Sequence, residues 1–144
     1  MLEPRTVHLL HVEDDDICIL GLCRAFKAAR IANPVIFAHD GVEALETLRG
    51  TNGRARLPRP FLVLLDLNMP RMDGIEFLRE VRADEELKKS IVFVMTTSNA
   101  DEDKVAAYNL GVAGYILKAN PANAFLEATA LLDTYWRVVE FPAA

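Results

Sequence analysis

The chain has 144 residues, 51% of them apolar and 26% charged, a balance that fits one packed globular domain and excludes a disordered tail. Lys and Arg number 16 against 21 Asp and Glu, a formal net charge of −5 that excludes bulk attraction to nucleic acid or an anionic membrane. Two cysteines, Cys18 and Cys23, cannot build a disulfide framework and lack metal-type spacing, so both read as buried reduced thiols on one helix.

Met1-Leu-Glu-Pro-Arg5 carries charge where a secretory leader would carry an apolar core. No apolar run approaches the roughly 20 residues that a membrane span requires. A cytoplasmic protein that contacts neither membrane nor nucleic acid is the expectation.

Short apolar runs alternate with helix-period patterns, as in a parallel sheet covered by helices. The first run, Val7 to Val12, stops at the acids Glu13 to Asp16, of which Asp15 and Asp16 suit a helix start. That helix places apolar residues at Ile19, Leu22, Cys23 and Phe26. Asn33-Pro34 breaks it before a second strand, Val35 to Ala38. Asp40-Gly-Val-Glu43 has capping-box spacing, and Val42, Leu45 and Leu48 supply the buried stripe of the helix it opens. Gly50 to Pro60 reads as a long exposed loop, with Arg49, Arg54, Arg56 and Arg59 forming a solvated basic face.

Phe61 to Leu65 is apolar without alternation, which suits a central strand buried on both faces, and it runs into Asp66. Asp73-Gly74 opens a helix through Ala83 with Ile75, Leu78 and Val81 inward. Ile91 to Met95 is a fourth strand closed by Thr96-Thr-Ser-Asn99, and the next helix ends at Gly111, placed as a C′ glycine. Ala113 to Leu117 is a fifth strand; Asn120 as N-cap and Pro121 as first helical residue open the last helix. This alternation predicts an α/β fold, a doubly wound parallel sheet whose ligands bind beyond the carboxyl ends of the strands.

On that rim the first strand delivers Glu13 and Asp14, the third Asp66, the fourth Thr96 and the fifth Lys118. Two like charges ~4 Å apart repel by about 4 kcal/mol at an effective dielectric near 20, so clustered carboxylates require a cation or a proton. Oxygen donors together with substrate oxygens suit Mg²⁺. Helix capping explains Asp15 and Asp16 but not Asp66, because helical sequence resumes only several residues later. His8 and His11 lie on the first strand without a Cys or His at metal spacing and read, like His39, as structural.

Leu65-Asp66-Leu-Asn68-Met-Pro-Arg-Met-Asp-Gly74 resembles the phosphoacceptor segment of response-regulator receiver domains. The resemblance extends in order through the acidic pair, Thr96, Tyr115 and Lys118, and spans about Val7 to Val139. It implies a flavodoxin-like five-stranded sheet in the order 2-1-3-4-5 with five helices. The expectation is one receiver domain over 1–144, with its core at about 7–139 and a short tail at 140–144. By the same resemblance Asp66 is the phosphoacceptor, and Mg²⁺ or Mn²⁺ is held by Glu13, Asp14, Asp66 and the backbone carbonyl of Asn68. Thr96 and Lys118 would contact the phosphoryl oxygens, Thr96 and Tyr115 would form the switch, and Asn68 and Ser98 would tune the phosphate's lifetime. The family usually has proline after the lysine; here Ala119 follows Lys118.

The last helix is broadly apolar. Leu131, Tyr135, Trp136 and Val138, with Phe141 beyond it, exceed what packing on a sheet requires. They are expected to form a homodimer surface together with the fourth helix and fifth strand. The short stretch after Lys118 leaves no room for an output domain, so signalling is expected through protein contacts, to an effector or a phosphotransfer protein. The long Gly50–Pro60 loop and the Tyr135-Trp136 ending resemble single-domain regulators that accompany phytochrome-type histidine kinases. Two other readings fit less well. An aspartate-nucleophile phosphatase would carry an acid where Asn68 stands, and an adaptor that is never phosphorylated would have no use for the complete rim set.

Overall fold

The computed structural model describes residues 6–118 and 121–142. Five parallel strands, β1 (His8–Val12), β2 (Val35–Ala38), β3 (Phe61–Leu65), β4 (Ile91–Thr96) and β5 (Gly114–Leu117), form one sheet in the order β2-β1-β3-β4-β5. Between and after them run α1 (Asp16–Ala28), α2 (Gly41–Arg49), α3 (Gly74–Ala83), α4 (Asp101–Asn109) and α5 (Pro121–Val138). Among the described residues no helix is long and apolar enough to cross a membrane.

Successive strand residues point to opposite faces, and this divides the core in two. Leu10, Val12, Val63, Leu65, Val92 and Val94 face α2, α3 and α4 with Leu45, Leu48, Phe77, Leu78 and Ala107. Leu9, Leu62, Leu64, Phe93 and Met95 face α1 and α5 with Leu22, Phe26, Phe125 and Leu132. Every residue of β3 is buried, as its unbroken apolar run requires.

Several local expectations change in the folded chain. Asp40 caps α2 by accepting from the Glu43 amide, but the Glu43 carboxylate turns to the His39 amide and ring, leaving the box half made. The same Asp-x-x-Glu spacing at Asp73 and Glu76 closes a complete box on α3. Val42 and Ile75 are half-buried, while Ala44, Thr47 and Phe77 fill the deeper positions. Cys18 is half-buried and Cys23 exposed, because the buried face of α1 runs through Leu22, Ala25 and Phe26 instead. Asn120 and the peptide after Lys118 lie outside the described residues. The arginines around the long loop are paired: Arg49 with Asp84, Arg54 with Glu43 and Glu46, and Arg56 with Glu86, while Arg59 lies over the Phe61 ring.

Two glycines meet strict requirements. Gly111 follows α4 at φ 74°, a left-handed turn that costs glycine no Cβ clash. At Gly74 an added Cβ would stand 2.6 Å from the Asp66 carbonyl oxygen, so only glycine lets α3 start directly beneath the loop that follows β3.

The carboxyl end of α4 carries no basic residue of its own. Arg82 of α3 supplies the charge, donating to Leu110 O at 2.6 Å and Gly111 O at 3.1 Å. It also donates to Lys88 O and Ser90 O, both at 2.8 Å, where the chain enters β4. We expect Arg82→Met, which keeps the stem but loses these bonds, to lower stability by about 2–3 kcal/mol in urea unfolding. A loss under ~0.5 kcal/mol would show the carbonyls are satisfied without it.

Candidate functional site

Parallel strands all end on one edge, and the sheet's hydrogen bonding continues past them to fix the first residues of the rim. Glu13 N donates to Ala38 O, Asp66 N to Val12 O and Lys118 N to Thr96 O, at 2.8–3.0 Å. Glu13, Asp66, Thr96 and Lys118 are thus held by backbone as well as by burial. Asp14, one residue further along, is exposed.

Glu13, Asp14 and Asp66 each present a carboxylate oxygen within 4.8 Å of the others. Lys118 Nζ lies 2.7 Å from Glu13 Oε2 and 3.6 Å from Asp66 Oδ2. Burial alone would drive Lys118 toward neutrality, but the bond from Glu13 and the charge of Asp66 outweigh it and hold the ammonium charged. Burial pushes the Glu13 carboxyl up to about 7; the Lys118 bond opposes this and the Asp66 charge adds to it. One ammonium therefore leaves three close carboxylates undercompensated. The all-oxygen donor set fits a hard divalent ion. Both Glu13 oxygens are engaged at shorter range, one by Lys118 at 2.7 Å and the other by the Asp15 amide at 3.3 Å, whereas the Asp66 oxygens meet Lys118 at 3.6 Å and the Asn68 amide at 3.4 Å and Asp14 is exposed.

Thr96 is fully buried, and its hydroxyl accepts from the Ser98 amide at 3.3 Å. Tyr115, packed on the first core cluster, donates its hydroxyl to the Ser98 carbonyl at 2.8 Å. Ser98 Oγ in turn donates to Asp103 in the first turn of α4. Thr96 and Tyr115, expected to form the switch, thus both meet Ser98, expected to tune lifetime, and Asp103, which carried no assignment, joins them. Cys18 was likewise not assigned to the rim, yet its Sγ lies 3.6 Å from both Lys118 Nζ and Asp15 Oδ2. Its place in the first turn of α1, three residues beyond the cap Asp15, was the available signal. Asn68 is exposed, with its amide 3.4 Å from Asp66 Oδ1. His11 is buried against Phe37 and kept neutral, its pKa lowered to about 3 by burial and then by the Lys118 charge.

The broad apolar face of α5 is only partly free. Leu131 and Val138 are exposed. Trp136 meets Phe26 edge-on, Tyr135 meets Phe93, and Phe141 folds back onto Tyr135, so these three expected interface residues pack within their own chain.

A doubly wound sheet in this strand order, with an acidic pocket, a buried lysine and a buried threonine on one rim, defines a receiver-type phosphoacceptor domain. Residues 9–130 match the response regulator receiver domain, and the chain belongs to that family. It is 33% identical over 137 residues to the response regulator Rcp1 of Synechocystis sp., covering 94% of this chain and 93% of that protein. The phosphorylated cyanobacterial phytochrome response regulator RcpA superposes with a TM-score of 0.85 at 33% identity, over 94% of this chain and 98% of that one. The Mn²⁺-bound form of Rcp1 does so with a TM-score of 0.84 at 33% identity, over 96% and 100% of the two chains.

The metal pocket makes a direct prediction. Asp14→Asn removes one of the clustered charges, and among the described residues the exposed Asp14 carboxylate holds no hydrogen bond or ion pair, so the variant should be at least as stable as wild type in EDTA. Wild type should gain about 1.4 kcal/mol at Mg²⁺ ten times its Kd, and the variant under half of that. Thermal unfolding with and without Mg²⁺ reads both; equal gains would remove Asp14 from the pocket.

Proposed function

We propose that the chain is a single-domain response regulator in which Asp66 accepts a phosphoryl group from a phosphohistidine. The observation that carries this reading is the Lys118 ammonium 3.6 Å from Asp66 Oδ2, beside the Glu13–Asp14 acidic pair. An Asp66 oxygen attacks phosphorus while the P–N bond to the donor histidine breaks, and the electron pair leaves with the imidazole nitrogen. Negative charge spreads over the phosphoryl oxygens, and Lys118 and the Thr96 hydroxyl are placed to stabilise it. Asp14, Asp66 and the Asn68 carbonyl would hold Mg²⁺ or Mn²⁺, with Glu13 acting through water. The ion would supply the positive charge that Lys118 alone does not.

The phosphoryl group adds roughly −1.5 to −2 charges to the rim. A Thr96 hydroxyl drawn toward it loosens its bond from the Ser98 amide, and Ser98 is what Tyr115 and Asp103 both hold. The signal would therefore leave through Ser98 to β5 and the start of α4. Neither Asn68 nor Ser98 offers a general base to an attacking water, which suits slow hydrolysis of the aspartyl phosphate. Likeness to a phytochrome response regulator supports a cytoplasmic histidine kinase of the phytochrome type as the upstream partner, and a protein effector or phosphotransfer protein would act downstream. Self-association would use the α4–β5–α5 face, with Leu131 and Val138 as its exposed apolar residues.

Acetyl phosphate with Mg²⁺ should label wild type and leave Asp66→Asn unlabelled, read by intact mass; persistent labelling of the variant refutes the assignment. Leu131→Lys with Val138→Lys should lower the light-scattering mass of a dimer to that of a monomer. The same mass for wild type and variant removes this face from self-association.

A further inference from the structure

The loop between β3 and α3 carries Asp66 and Asn68, and its Asn68, Pro70 and Arg71 are exposed. Its inner end is fixed, because Gly74 N donates to Leu67 O at 3.0 Å and the tight approach of Gly74 to Asp66 leaves no play. At its outer end Met69 and Met72 are half-buried against the first core cluster. Two polar ties to α2 add direction to that packing. Gly41 N donates to Met72 O at 3.0 Å, and Arg71 grips Asp40 with Nε at 2.7 Å and Nη2 at 3.1 Å.

The grip has features of a built contact. Arg71 sits at φ 63°, a left-handed backbone in which the Cβ of an L residue crowds the following carbonyl oxygen at a steric cost. That turn accompanies the return of its guanidinium across 31 residues of sequence to the start of α2. The Asp40 it reaches is buried and also caps α2, so its carboxylate is fixed from behind by the Glu43 amide at 2.8 Å. A two-point fork onto an immobile carboxylate defines direction as well as distance. Burial disfavours the charged Asp40, but Arg71 and the amides of Glu43 and Val42 more than offset this and hold its carboxyl below the usual range.

We propose that Arg71 is a positioning residue of the phosphoacceptor site: its fork on Asp40 holds the Asn68–Met72 backbone where Asn68 can help ligate the divalent ion. The inference rests on the proposed role of Asn68 and deepens it. Without the fork, the loop's outer end keeps the Met72–Gly41 bond and the packing of Met69 and Met72 but loses the tie at Arg71, and metal binding must then order the Asn68–Arg71 backbone before the ion can use it.

The test is Mn²⁺ binding to the full chain, followed by electron paramagnetic resonance, with amide hydrogen exchange of the metal-free protein as a second readout. Arg71→Met should weaken Mn²⁺ by three- to tenfold and speed exchange at the Gly41 amide, while unfolding remains cooperative. Arg71→Lys, which keeps the charge but not the fork, should recover part of the loss. Arg71→Gly fits φ 63° without steric cost and should still bind as weakly as Arg71→Met, separating the grip from the backbone strain. Asp40→Asn keeps the α2 cap and loses the charge; it should match Arg71→Met, and the double variant should be no worse than either single.

Wild-type affinity in Arg71→Met, tighter binding by Arg71→Gly, or losses that multiply in the double variant would each overturn the proposal. The outcome is separable from that of the phosphoacceptor reading. If acetyl phosphate fails to label wild type, that reading falls, whereas the effect of Arg71 on Mn²⁺ affinity is measured without phosphorylation.

Discussion

The rim depends on one buried cation. Glu13 and Asp66 leave water only because the Lys118 ammonium stands 2.7 Å from the first and 3.6 Å from the second. The partners come from opposite ends of the fold, 105 residues apart in sequence. In the sheet β3 and β4 separate β1 from β5, so their backbones stand about 14 Å apart at ordinary strand spacing. Long side chains at both ends bridge that gap over the shorter Asp66 and Thr96. The geometry thus gives a reason for glutamate at 13 and lysine at 118, and for short residues between them.

Incomplete neutralisation makes this arrangement useful. A lysine that fully satisfied the carboxylates would leave no demand for a divalent ion, and a pocket without lysine would repel an incoming phosphate. With one ammonium among three carboxylates, the pocket can attract a metal and still present a cation to phosphoryl oxygens. The same balance makes the rim sensitive: a new anion there would accept from the Thr96 hydroxyl while the Ser98 amide donates to it, so the two pull the same group in different directions.

That competition reaches a helix whose two ends are held differently. Within α4 only Ala107 is buried, and Ala100 provides no side-chain cap. Its start is held to the rim by the Ser98–Asp103 bond, and its end by the Arg82 bonds to Leu110 O and Gly111 O, while the Arg82 bonds to Lys88 O and Ser90 O tie that end to the entry of β4. A small change at Ser98 therefore acts on the less anchored end, while the Arg82 end stays in register with β4. Shifting a two-state population from 1:99 to 99:1 takes about 5.5 kcal/mol, a demand more easily met where little apolar packing must be broken.

Features that depend on local spacing were legible in the sequence. The β3 run and Asp66, the acids after β1, the Gly111 turn and the order of elements all follow from apolar period and turn chemistry. What escaped depends on partners distant in sequence. Asp40–Glu43 and Asp73–Glu76 share one spacing, yet only the second closes a box, because His39 draws Glu43 away. Arg71 lies inside the quoted phosphoacceptor segment, but nothing nearby reveals Asp40 as its partner. The apolar excess of α5 was real and was read as surface. The tail changes that balance: Phe141 returns over Tyr135, Tyr135 meets Phe93 of β4, and Trp136 reaches Phe26 of α1. Much of the surplus closes the second core beside β4 and α1, and the outward residues Leu126, Leu131 and Val138, with Val139 beyond them, keep apolar surface for a partner. Any dimer built on α5 must then draw the rest of its contact area from elements other than the aromatic end of that helix.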